Sequence, residues 1–76
     1  MKVQFLSDDG NIISSQTLKE KTFKANENGE SSCGYNGHGK IELPDGNRLQ
    51  ISLNLIAVGS RDWDTDEKLE FFTANR

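Results

Sequence analysis

The sequence predicts an α+β domain, an antiparallel β-sheet of hairpins, about four to five strands, with one C-terminal helix packed on one face. Three observations predict it. The tripeptide Asp-Gly-Asn occurs twice between apolar runs, at residues 9–11 and 45–47. Apolar residues alternate with polar ones from Leu49 to Ala57. After Gly59 that alternation gives way to a helical pattern introduced by Asp64.

The elements follow in order. Residues 2–6, KVQFL, place Val3 and Phe5 at strand spacing. The next stretch, SDDGN, is a hairpin turn, because glycine takes a positive φ without steric cost, and IISS is its return strand. KTFKA, within 16–25, alternates and reads as a further strand. Residues 26–39 hold four glycines and three asparagines and read as a long loop. KIEL, PDGN and RLQISLNLIAV make a second hairpin. Pro44 starts its turn and Gly46 takes the left-handed position of a three-residue loop with a bulge. Leu49, Ile51, Leu53, Leu55 and Ala57 line one strand face, leaving Arg48, Gln50, Ser52 and Asn54 to water. In DTDEKLEFFTAN, Asp64 is the N-cap, with Glu67 three residues on. Leu69 and Phe72, joined by Trp63, are expected to pack on the Leu49–Ala57 face.

Seventy-six residues, 33% of them apolar, form one domain spanning 1–76. That is enough to fill one sheet face and one helix stripe, and too little to wall the several hundred cubic ångströms of a substrate pocket. The reading is therefore of a protein that is not an enzyme. The opening MKVQFLSDDGN has no apolar run long enough for a leader or a membrane helix. A single cysteine makes no internal disulfide, which places the chain in a reducing cytoplasm. The net charge of −3 resides wholly in residues 62–76, where five carboxylates face two bases; residues 1–61 carry seven of each.

The only cysteine, tyrosine and histidine all fall within SSCGYNGHGK, residues 31–40. Zinc needs three or four ligands in a tetrahedron, and one Cys with one His does not supply them. A Cys33–His38 nucleophilic pair needs rigid support that a glycine-rich loop does not give. The stretch matches neither phosphate-binding glycine signature. No catalytic residue, metal ligand or cofactor site is assigned. The remaining functional reading is recognition, with Tyr35 as an aromatic anchor among Asn36, His38 and small residues. Asp62, Asp66, Glu67 and Glu70 add a negative face that attracts a basic protein surface. The expected contact set is thus Tyr35, Asn36, His38, Asp62, Asp66, Glu67 and Glu70.

The segment VGSRDWDTDEKLE, residues 58–70, resembles a strand-to-helix segment in a family of small phage-encoded anti-CRISPR inhibitors. That resemblance implies a sheet-plus-helix domain that binds a CRISPR effector subunit and blocks DNA recognition in the cytoplasm of the host cell. The residues with which that family grips its target lie outside the matching segment, so none is carried over. The expected function is a small acidic, non-catalytic, protein-binding inhibitor encoded by a phage or mobile element. Its expected partner is a host protein or ribonucleoprotein with a basic surface. The alternative is a nucleic-acid-binding accessory domain using a sheet face with Lys19, Lys21, Lys40 and Arg48. It ranks second because Glu20 dilutes the lysines and Phe23 is assigned to the core. A hairpin edge paired across a two-fold axis would give a homodimer.

Overall fold

The computed structural model describes residues 1–24 and 31–76. Five antiparallel strands and one helix run in the order β1 (Lys2–Leu6), β2 (Ile12–Thr17), β3 (Lys19–Lys24), β4 (Ser31–Glu42), β5 (Arg48–Ile56) and α1 (Thr65–Ala74). A single 3-10 turn at Ser60–Asp62 precedes the helix. β1 and β2 pair as a ribbon, while β3, β4 and β5 form a second sheet with β4 in the middle.

The two Asp-Gly-Asn turns close identically. Gly10 and Gly46 donate their N–H groups to the carbonyls of Ser7 and Leu43, both at 2.9 Å. Ser7 and Leu43 in turn donate to Asn11 and Asn47 at 2.9 and 2.7 Å. The glycines have φ of 91° and 89°, the left-handed values that side-chain-bearing residues resist. Asp45 accepts 2.9 Å bonds from the backbone and side-chain nitrogens of Asn47. Those bonds, the backbone one foremost, hold its carboxyl below the usual carboxylate range.

The stretch expected as a loop needs correction. Residues 31–39 belong to the central twelve-residue strand β4; the rest of the expected loop, 26–30, lies outside the described residues. β4 alternates once glycine is counted as a small interior residue. Cys33, Tyr35, Gly37, Gly39 and Ile41 face inward, and Ser32, Asn36, His38, Lys40 and Glu42 face outward. The glycines make room for the ribbon. Only Leu18 separates β2 from β3, so one extended run changes sheets at that residue. Leu18 is buried at the corner. A Cβ on Gly37 would lie 2.5 Å from Leu18 Cδ2, and one on Gly39 would lie 3.0 Å from the Gln16 side-chain oxygen. Strand glycines mark such close approaches.

The helix covers the other end of the same face. Asp64 caps it as expected, accepting the Glu67 N–H at 2.8 Å. The buried stripe differs from the expected one. Phe72 is buried and Phe71, Lys68 and Trp63 are half-buried, whereas Leu69 is 56% exposed. Positions 68, 71 and 72 define the inward stripe at i, i+3, i+4. Lys68 joins it because its stem crosses the sheet border and its Nζ donates to Ser31 Oγ at 3.2 Å. The helix also sits chiefly over Cys33 and Tyr35 of β4 rather than along β5. Leu53 and Ala57 pack against that cluster, but Leu49 and Leu55 stay exposed.

Ser60 joins the 3-10 turn to the sheet. It is 1% exposed, accepts the Cys33 N–H at 2.9 Å and donates to the Cys33 carbonyl at 3.3 Å. Its hydroxyl thereby stands in for a strand partner. Ser60→Ala strands a buried backbone N–H, and the expected loss is about 1–3 kcal/mol in urea denaturation.

Candidate binding surface

The outward residues of the three-stranded sheet share one face by register. Lys19 pairs with Asn36, which pairs with Asn54; Lys21 pairs with Gly34 and Gly34 with Ile56. His38 opposes Ser52, Lys40 opposes Gln50, and Glu42 opposes Arg48. Odd positions of β3 therefore lie beside even positions of β4 and β5. The ribbon and α1 both cover the opposite face, so among the described residues this one lies open. Lys19, Lys21, His38, Lys40, Arg48, Gln50, Ser52 and Asn54 are all exposed.

This face gathers Lys19, Lys21, Lys40 and Arg48, with Glu42 its single carboxylate. Glu20, counted against the lysines in sequence, points the other way. It holds Arg76 through paired contacts of 3.0 and 3.1 Å that tie the end of the helix segment to β3. That guanidinium lowers the Glu20 pKa. Phe23, assigned to the core, lies half-buried on the open face, with Lys21 Nζ 5.5 Å from its ring centre. Asn36 Nδ2 is 3.3 Å from His38 Nε2, within reach to donate to that nitrogen when it carries no proton.

The expected contact set is divided by the fold. Asn36 and His38 lie on the open sheet face. Asp62, Asp66, Glu67 and Glu70 lie in the layer on the other side, all exposed. Tyr35 is between them and is not a surface anchor. It is 3% exposed, with its ring 6.0 Å from that of Phe71 and 5.7 Å, edge-on, from that of Phe72. The cause is its inward parity on β4. Its hydroxyl is buried without a hydrogen-bond partner. Cys33 is fully enclosed and faces inward, while His38 faces outward, so the two do not form a nucleophile–base pair.

Two depressions flank the acidic layer and the turns. A shallow groove of about 340 Å³ is lined by Trp63, Glu67, Glu70, Phe71 and Ala74, with the Trp63 and Phe71 rings 5.4 Å apart. An open cleft of about 480 Å³ separates the two hairpin turns, where Asp9 is engaged by Ser7 and Asn11. Among the described residues no three His, Cys, Asp or Glu side chains are grouped to hold a metal ion, and no helix is long and apolar enough to cross a membrane. No family model, curated protein or solved structure matches the chain.

The residues missing from the expected set are Phe23, Gln50 and Asn54. Their signal was the strand alternation itself. The wet face of β5 was legible, but its neighbours across the sheet were not.

Proposed function

We propose that this chain is a non-catalytic binding module whose open sheet face takes single-stranded nucleic acid. One observation carries the reading: four cations drawn from three strands are spaced along one face that is uncovered among the described residues, in a chain whose net charge is −3. Cations spaced along a sheet neutralise phosphates. A half-buried aromatic ring offers a base a surface to stack on, and Asn36, Asn54 and Gln50 offer amides to base edges. The acidic layer lies behind the sheet, so it does not confront the phosphates.

A fluorescence anisotropy titration with single- and double-stranded oligonucleotides tests this. Binding to the single strand is expected at low salt. Each neutralised phosphate contributes about −0.7 to the slope of log K against log salt, so four contacts give a slope of roughly −3. Reversing Lys40 and Arg48 to glutamate is expected to abolish binding. Absence of binding at low salt, or a flat salt dependence, refutes the reading.

A protein partner is the second reading, favoured by the Trp63–Phe71 groove rimmed by Glu67 and Glu70. Half-buried aromatic rings beside carboxylates suit a basic protein surface, and the inhibitor resemblance likewise implies a protein partner. The two readings separate by variant. Reversal of Asp62, Asp66 and Glu70 to lysine abolishes capture of a protein partner and leaves oligonucleotide binding in place.

A further inference from the structure

We propose that the protein self-associates by antiparallel pairing of β5 with β5 of a second copy, about a two-fold axis at Ser52. Among the described residues β3 and β5 are the edges of the three-stranded sheet, and of the two β3 is the one guarded by charge. β3 carries Lys19 and Lys21 within its first three residues, so self-pairing about Glu20 would set Lys19 against Lys21 of the other copy. Lysines so placed block edge-to-edge association. β5 has nine residues, about 30 Å of strand, and its only charge is Arg48 at the first position.

The sequence of β5 fits its own reverse. Leu49-Gln50-Ile51-Ser52-Leu53-Asn54-Leu55 reads aliphatic, amide, aliphatic, serine, aliphatic, amide, aliphatic from either end. A two-fold interface demands that self-complementarity, because every contact occurs twice. With Ser52 opposite its own copy, Leu49 meets Leu55 and Ile51 meets Leu53 on the inner face. Gln50 meets Asn54 on the open face, and no like charges are opposed. Leu49 and Leu55 are 49% and 37% exposed in the single chain. They stand at the border that the second copy would cover. The product is a six-stranded sheet with two open faces joined into one. The pairing does not depend on nucleic-acid binding.

Sedimentation equilibrium of the full chain, from low micromolar to millimolar concentration, is expected to show the mass rising towards twice the 8.5 kDa of one chain. Ser52 is exposed, so the fold tolerates a charge there. Ser52→Lys and Ser52→Glu are each expected to halve the mass, and an equimolar mixture of the two to restore it. Residues directly opposed across antiparallel strands have Cα atoms about 4.5–5.5 Å apart, within the span of a disulfide. Ser52→Cys is therefore expected to cross-link under mild oxidation. The unaltered chain, whose Cys33 is buried, gives no cross-link. A single-chain mass at every concentration, as when β5 instead receives a strand from a different protein, overturns the proposal. So does a dimer whose mass neither charged variant changes.

Discussion

Phe72→Ala is expected to remove about 3–5 kcal/mol of stability, the range for deleting a buried aromatic ring. Small domains have a total of that order, so the variant populates the unfolded state at room temperature. The reasoning runs from the helix stripe. Phe72 is the one helix residue buried against the sheet, and its ring meets Tyr35 edge-on at 86°. It also lies beside Phe71 at 5.5 Å. Truncation removes the one buried contact of α1 on β4 and opens the cluster of Leu18, Cys33 and Tyr35. Leu69→Ala is the matched control. That side chain is more than half exposed, so its loss costs within about 0.5 kcal/mol. Urea unfolding followed by circular dichroism and by Trp63 fluorescence measures both. Equal midpoints for the two variants would contradict the observed stripe.

Gly34→Ala is expected to cost about 3 kcal/mol or more, the upper end of overpacking. Gly34 lies between Lys21 of β3 and Ile56 of β5. A Cβ there would fall on the Leu55 carbonyl oxygen, with the Leu55 carbonyl carbon at 2.9 Å and Ile56 Cα at 3.0 Å. All three obstacles are backbone, so no rotamer relieves them and β5 must shift away from β4. Gly39→Ala provides the contrast. Its new methyl meets only the end of the Gln16 side chain, which can swing aside. Alanine also loses less conformational freedom on folding than glycine, by about 0.5–1 kcal/mol, so this variant is neutral or slightly stabilised. Thermal melting distinguishes a shift of many degrees from one near zero.

Gly37 and Gly39 show why β4 was hard to read. Composition assigns a glycine- and asparagine-rich segment to a loop, because glycine weakens an isolated strand. What decides the matter is who fills the space above each glycine, and Leu18 and Gln16 come from another hairpin. Where the determinant is local, the sequence was sufficient. Gly10 and Gly46 closed the turns they were expected to close, and Asp64 capped the helix. In the helix stripe Phe72 and Trp63 lie where they were expected, but Leu69 does not, because Lys68 was read as a charge rather than as an aliphatic stem. The candidate surface divides in the same way. Lys19, Lys21, Lys40 and Arg48 were named from sequence, but their common face depends on the register of three strands. Tyr35 was expected as an anchor in a loop and lies in the interior because its segment is a strand.

The enclosure of Cys33 turns the lone thiol into a clock. With 0% exposure and its backbone gripped by Ser60, it meets an alkylating reagent only when β4 parts from its cover. Labelling in native buffer, timed by mass spectrometry, therefore measures the frequency of that excursion. Because the readout needs neither denaturant nor an appended probe, substitutions throughout the domain can be ranked on one kinetic scale.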